Sequence, residues 1–504
     1  MCQGKTCRLQ AKGCNNPGEQ TWIQIQLPID VHNLLAFIKT AALIKKTITI
    51  TLVNSQMQIK QWEDKNLSHF SYAVREDKQI ILIDPSRDPQ PYIEWAKNQD
   101  ATITGIIETH PHADFTSSHL ELHELTGATV YVHSKAGASY PHQPFDEGQQ
   151  ITIGKLRLAP LFTPGHSPDS ICVLLEYDGV QKAVFTGDTL FIGDCGRPDL
   201  RETAGSIQAK KEELASQMYH SLREKLMKLN DDVVVYPAHG AGTLCGKNLS
   251  KESSSTIGME KQNNWCLQEM SEDAFIKNLL MDQPFVPAYF PFDVELNRKG
   301  APSFATSLKG IKNLDAPEKI DQTPAGKKTW IIDGREAPVF KNGHLPGSIN
   351  LMEKGKFETW LGSIIHPGEN FYLAGENEEQ LNKLKQRTAA IGYEGQVKAA
   401  IVVKNAEEKQ EPIDLEAFRQ DPKAYTIVDI RNENEVKQGK PFRHSLSIPL
   451  SELRSRVHEI PVDKPIVVHC AAGYRSAAGS SIIASSIDKT VKVYDLGDAI
   501  KQFL

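Results

Sequence analysis

Cysteine is scarce in this chain. Eight residues in 504 cannot supply the disulfide framework on which small secreted domains depend. Nor is there an apolar run long enough to cross a bilayer, which takes about 20 mostly apolar residues. The nearest contender, VHNLLAFIKTAALIKKTITITLV, is interrupted by Lys39, Lys45 and Lys46. It lies late for a secretory leader, and no clear small-residue cleavage site follows it. Excess positive charge is missing too: the formal net charge is -6, so there is no electrostatic footprint for a polyanion. These absences set the expectation of a cytoplasmic chain with neither a membrane nor a nucleic-acid partner. What is present is an ordinary globular composition, 40% hydrophobic and 24% charged. It excludes a mostly disordered chain, a collagen-like repeat and a coiled-coil rod. At about 150 residues per domain, the length allows roughly three domains.

Residues 1–56 differ from the rest. Six basic residues against Glu19 and Asp30 give them a formal charge of +4. Cys2, Cys7 and Cys14 lie close together, but their spacing matches no tight zinc knuckle and a fourth ligand is missing. We expect an atypical extension here, a mispredicted start or a poorly ordered tail, with the compact domain beginning at Met57. From there, short β-branched runs alternate with helical ones. QIILIDP (79–85) and ATITGIIETH (101–110) read as strands, PYIEWAKNQD (91–100) as a helix, and 207–229 as one long amphipathic helix. An α/β domain over 57–256 is expected to end at the Ser-rich KNLSKESSST, followed by a connecting segment, 257–327. Units 328–405 and 406–504 then repeat one order of strands, loops and helix, which indicates an internal duplication of a small parallel-sheet domain.

Chemistry-bearing residues stand at strand ends. ETHPHAD carries His110, His112 and Asp114; TPGHSPDS carries His166; FTGDTLF carries Asp188; YPAHG carries His239. A strand end is rigid and opens toward the ligand face of a sheet, so four such segments point to a metal centre. Arranged this way they resemble the metallo-β-lactamase fold, whose signature is H-x-H-x-D-H. The match here is HPHADF. Phe115 takes the place of the last histidine, and a phenyl ring has no lone pair for a second metal, so a mononuclear centre is expected. Within that superfamily THPHADFTSSH, LFTPGHSPDS, FTGDTLFIGDCGRPDL and YPAHGAGTLCGKNLS are similar to the persulfide dioxygenases. That resemblance implies one iron(II) per chain held by His110, His166 and Asp188, with His112, Asp114 and His239 orienting ligands and water around it. It also makes Arg197 the candidate for gripping a carboxylate of a thiol such as glutathione.

A second site stands near the carboxyl end. IVVHCAAGYRSAAGS places Cys470 after a buried strand and before a helix, with Arg475 completing C-x4-R. Backbone N–H groups of so short a loop, with a helix N-terminus behind them, favour a sulfur anion. The tyrosine and dual-specificity phosphatases need C-x5-R to wrap a phosphate, one residue more. The unit resembles a rhodanese domain: DIRNENE is similar to its early signature and CAAGYRS to its active loop. Cys470 would then carry the transferred sulfur and Arg475 would position an anionic acceptor. HSLSIPL departs from the usual G-H-x-P-G-A approach, which puts thiosulfate:cyanide specificity in doubt. The first copy matches the pattern in IIDGRE and GHLPGSINL, but its loop, FYLAGENEEQ, has neither cysteine nor arginine.

The expected architecture is therefore a metallo-β-lactamase αββα sandwich followed by an inactive and an active rhodanese-like doubly wound parallel-sheet domain. It implies oxidation of a small thiol persulfide, of the glutathione or coenzyme A type, by dioxygen to sulfite, and sulfur transfer through Cys470 to give thiosulfate in sulfide detoxification. Two alternatives stand beside it: a zinc-dependent thioester hydrolase of the glyoxalase II type, and a non-enzymatic persulfide carrier or sensor using Cys470 alone. A homodimer is the default expectation for the assembly.

Overall fold

The computed structural model describes residues 57–201, 210–316, 320, 329–404 and 406–504, together with the backbone of three strands nearer the amino end. Those strands, Thr6–Gly13, Thr21–Pro28 and Ile48–Leu52, form an antiparallel sheet with Thr6–Gly13 in the middle. The side chains of Cys2, Cys7 and Cys14 lie outside the described residues.

From Met57 the alternation of residue types builds two six-stranded sheets. The first runs Gln58–Asp64, His69–Glu76, Gln79–Ile83, Thr102–Glu108, Thr129–Val132 and Gln143–Pro144, each strand beside its predecessor. The second runs Ile151–Ile153, Leu156–Phe162, Ile171–Tyr177, Val180–Gly187, Val234–Pro237 and Ser255–Thr256. Successive side chains of a strand point to opposite faces. In His69–Glu76, accordingly, Phe70, Tyr72 and Val74 enter the core between the sheets, and Ala73 enters an outer core with Tyr92, Ala96 and Leu122 from the helices Gln90–Asn98 and His119–Thr126. In Ile171–Tyr177 the residues Ile171, Val173 and Leu175 face the first sheet. Cys172 and Leu174 face Ala215, Met218 and Leu222 on the other side. The order of layers is helix, sheet, sheet, helix.

The spacing predicts one regular helix over 207–229, of which 207–209 lie outside the described residues. The structure has an α-helix, Lys211–His220, that widens to i→i+5 bonding over Ser221–Lys225 and tightens over Leu226–Lys228. The helix lies against the loop that carries His166: a Cβ on Gly165 would fall 2.6 Å from the Met218 Cα. The Ser221 hydroxyl donates to the Pro164 carbonyl at 2.7 Å.

The segment 257–327, expected as a connector, carries the helices Ile257–Asn263, Glu272–Leu280, Phe290–Lys299 and Phe304–Gly310. Its strand Asn313–Leu314 joins the sheet of the first copy. That sheet is parallel, with Trp330–Asp333 between Ser348–Asn350 and Phe371–Gly375, and Val397–Val402 beyond. The second copy repeats this with Thr426–Asp429 between Leu446–Ser447 and Ile466–His469, and Val493–Asp495 beyond. The duplication reaches individual hydrogen bonds. Arg335 grips Asp333 and the Gly343 carbonyl, and Arg431 grips Asp429 and the Gly439 carbonyl, with the same atoms. Both folded units are parallel-sheet domains of the rhodanese-like kind. Among the described residues no helix is long and apolar enough to cross a membrane.

Candidate metal centre and sulfur-carrying loop

Parallel pairing sends several strands of the sandwich out at the same edge: Gln79–Ile83 beside Thr102–Glu108 in one sheet, Val180–Gly187 beside Val234–Pro237 in the other. Their C-terminal ends deliver Asp84, His110, Asp188 and His239 to one buried place. His110, His166 and Asp188 offer ligand atoms that all lie within 4.8 Å of one another. His166 Nε2 is 3.4 Å and His110 Nε2 3.9 Å from Asp188 Oδ2.

The ring orientations follow from hydrogen bonds behind the site. His166 Nδ1 donates to the Arg197 carbonyl at 2.9 Å, which turns Nε2 toward Asp188. The Thr109 hydroxyl gives its proton to Asp84 at 2.8 Å and so accepts from His110 Nδ1 at 3.1 Å. Asp84 also accepts the Thr109 backbone N–H at 2.7 Å and adopts a left-handed φ of 49°. Both Asp188 oxygens and His239 Nε2 are buried with no hydrogen-bond partner. Buried polar atoms are seldom left so, and a cation between carboxylate and imidazoles would satisfy them. The donor set of two histidines and one carboxylate fits a single divalent ion.

His112, Asp114 and His239 form an adjoining group, again within 4.8 Å. His239 bridges the two, with Nε2 3.5 Å from Asp114 Oδ2 and 3.6 Å from Asp188 Oδ1. His112 faces elsewhere, its Nε2 3.2 Å from Asp84 Oδ1. Burial works against charge on this ring, but Asp84, then Glu108 and Asp188, outweigh it and raise His112 to about 9. The Phe115 ring fills the remaining side, its centroid 3.9 Å from His69 and 4.4 Å from His112.

Several residues of the site were not singled out from the sequence. Asp84 had a visible signal, a carboxylate at a strand end like Asp188. His69 opens the strand His69–Glu76 outside any histidine-bearing motif and had none. Cys245 comes within 4.8 Å of Asp188 and His239. Two more come from segment 257–327: Asn297 donates to the His112 and Phe115 carbonyls at 2.8 and 2.7 Å and accepts from Ser117 N–H at 2.8 Å, and the Tyr289 hydroxyl donates to the Asp114 carbonyl at 3.1 Å. Arg197, expected to grip a substrate carboxylate, has a 1% exposed side chain whose guanidinium forks onto Asp199 at 2.7 and 2.6 Å, while its carbonyl serves His166.

In the second copy, Cys470 follows the strand Ile466–His469 and accepts the Gly473 N–H at 3.1 Å. Gly473, with φ 93°, starts the helix Tyr474–Ala484. Arg475 forks onto Glu435 at 2.5 and 2.7 Å, a partner that the sequence did not announce. In the first copy Asp333 pairs with Ala374, as Asp429 pairs with His469, so Gly375 stands where Cys470 stands.

Comparison with known proteins finds relatives of the sandwich and of the second copy. The family model for the metallo-beta-lactamase superfamily matches residues 65–239, and that for the rhodanese-like domain matches 411–498. A hydroxyacylglutathione hydrolase of Francisella tularensis subsp. novicida is 30% identical over 185 residues, 36% of this chain and 68% of its own. The human mitochondrial persulfide dioxygenase ETHE1 is 29% identical over 173 residues, 34% of this chain and 63% of its own. A crystal structure of a metallo-beta-lactamase from Staphylococcus aureus subsp. aureus COL superposes with a TM-score of 0.61 at 30% identity, covering 69% of this chain and 99% of that one.

Proposed function

Because the chain belongs to the metallo-β-lactamase superfamily and carries a rhodanese-like domain behind it, we propose that it oxidises a low-molecular-weight persulfide and passes sulfane sulfur through Cys470. The observation that carries this reading is the contrast at the metal centre. His110, His166 and Asp188 are complete as a set for one ion, while Phe115 presents a hydrocarbon ring beside His112. When bound, iron(II) would supply the one-electron chemistry that brings dioxygen to sulfur.

The remaining work falls to this chain. His110, His166 and Asp188 would hold the ion, and Thr109, Asp84 and the Arg197 carbonyl fix the ring nitrogens that face it. His112, paired with Asp84 at 3.2 Å, would hold that carboxylate in place behind the His110 and Thr109 hydrogen bonds. His110, His166, Asp188 and His239 are at most 2% exposed, so a sulfur bound among them would be shielded from bulk water. Overall, RSSH, dioxygen and water give RSH, sulfite and two protons. At Cys470 the Gly473 N–H and the helix behind it stabilise the persulfide anion. The Cys470 thiolate takes the outer sulfur of a second RSSH, whose S–S bond breaks to release RSH. Sulfite then attacks that outer sulfur, the new S–S bond breaks, and thiosulfate leaves a Cys470 thiolate. Arg475 would steer the dianion once it exchanges Glu435 for sulfite. Cys470→Ser should leave oxygen consumption intact and change the product from thiosulfate to sulfite. Unchanged thiosulfate from that variant would remove Cys470 from the reaction.

A second reading rests on the adjoining donors. His112, Asp114 and His239 lie within reach of one ion, and a relative is a hydroxyacylglutathione hydrolase. A two-zinc thioester hydrolase would use them. Metal analysis of the native protein separates the readings: about one iron per chain favours the first, two zinc ions the second.

A further inference from the structure

Outside both sites, two cysteines from distant parts of the chain meet in the core. Cys266 Sγ lies 2.7 Å from Cys195 Sγ, well inside the contact distance of two unbonded sulfurs, and both residues are buried. The neighbouring Asp194 does not complete a metal site with them. Its carboxylate already accepts the backbone N–H groups of Lys247 and Asn248, at 3.0 and 2.9 Å, and the Trp265 indole at 2.8 Å. A zinc ion, moreover, holds its ligands at the corners of a tetrahedron, farther apart than these sulfurs. Closing the S–S bond asks for less than ~1 Å of approach.

We propose that Cys195 and Cys266 are a redox-active dithiol whose closure to a disulfide is transmitted to the metal ligands. The transmission runs through Gly196, the next residue. A Cβ there would fall 2.0 Å from the Asp188 carbonyl oxygen and 3.0 Å from His166 Nδ1, so the backbone beyond Cys195 has no slack against two ligands. Arg197, one residue further, carries the carbonyl that orients His166. Drawing Cys195 toward Cys266 therefore moves the support of both.

The oxidant is a hydroperoxide. One thiol attacks a peroxide oxygen, the O–O bond breaks, and a sulfenic acid and water form. The other thiol displaces the sulfenic oxygen as a second water, leaving the S–S bond. Two thiols and H2O2 thus give one disulfide and two waters. Burial raises the pKa of both thiols, so the attacking group is the small thiolate fraction, whose proton ends in the first water, and closure is slow.

The test uses the full chain, treated with hydrogen peroxide, alkylated and mapped by mass spectrometry. In parallel, cobalt(II) absorbance reads the metal site whichever metal is native. Expected are a peptide joining Cys195 to Cys266 and cobalt affinity at least tenfold lower, both reversed by dithiothreitol. Cys266→Ser should bind cobalt as the reduced chain does and keep that affinity after peroxide. Recovery of both cysteines fully alkylated after peroxide would overturn the dithiol. A joined peptide with unchanged cobalt affinity, or a Cys266→Ser chain as sensitive as the parent, would overturn its link to the metal.

Discussion

Around Phe115, hydrocarbon and donor atoms are set side by side: the ring lies tilted against His69 and His112, and Asp114 and His239 lie close by. Phe115→His should add a donor to that group and raise bound metal from about one to about two ions per chain, measured by elemental analysis. A stoichiometry that stays at one would mean that the ring does not set the count. Asn297 acts through backbone instead. Replacing it with leucine removes three hydrogen bonds and leaves the His112 and Phe115 carbonyls and the Ser117 N–H buried without partners. At about 1 kcal/mol or more for each such group, the cost is on the order of 3 kcal/mol. The account predicts lower metal affinity as well as a lower denaturation midpoint. Lost stability with metal affinity intact would confine Asn297 to the fold. At this scale the sequence was unevenly legible. His110, His166, Asp188 and Cys470 stand in dense local motifs. Asn297 and His69 act across long stretches of chain, and no local pattern marks them. Asp199, the partner that holds the Arg197 guanidinium two residues on, is not marked by the motif either.

At the scale of elements, period-two alternation and strand-end turns made the strands of the sandwich legible, as did the repeated order of the two copies. The widened turn at Ser221–Lys225 was not; its Ser221 hydroxyl bonds to the Pro164 carbonyl, 57 residues earlier in the chain, a contact no local pattern marks. The duplicated Asp–Arg–Gly grip offers a test with a sign. Burial disfavours the Asp429 charge, but hydrogen bonds from Arg431 and the charge of His469 outweigh it and lower its pKa. A carboxylate depressed in the folded state contributes stability that is complete above the unfolded Asp value of about 4. That contribution is lost as pH falls through the lower folded value. Asp429→Asn should therefore be less stable than the parent at neutral pH, and the two denaturation midpoints should converge in acid below about pH 4. A gap that persists unchanged into acid would contradict the ionic grip.

The whole molecule shares one hydrophobic cluster: Phe115 and Phe191 of the sandwich, Tyr289 and Val294 of the middle segment, Trp360 of the first copy and Ile482 of the second all belong to it. Polar contacts follow the same path. Arg87 reaches Glu394 at 2.8 Å in a buried pair, Lys356 donates to Ser68 and Asn66, and Thr116 N–H donates to the Ala390 carbonyl at 2.8 Å. The first copy, which lacks a nucleophile, thus braces the metal loop. A chain ending at residue 256 would lose Asn297, Tyr289 and Ala390 from that loop and expose the cluster. It should aggregate or bind metal poorly, as gel filtration and metal analysis would register. A monodisperse, metal-loaded fragment would show the sandwich to be self-sufficient. The sequence displayed the three units but not this bracing, which depends on residues brought together from separate domains.

The most direct test of the account is dissolved oxygen, followed as the iron-loaded full-length protein meets glutathione persulfide, with coenzyme A persulfide tried in parallel. Oxygen uptake should begin on mixing and run in proportion to the thiosulfate or sulfite that accumulates. With iron in place, no uptake with either persulfide would contradict the dioxygenase reading and turn attention to thioester hydrolysis.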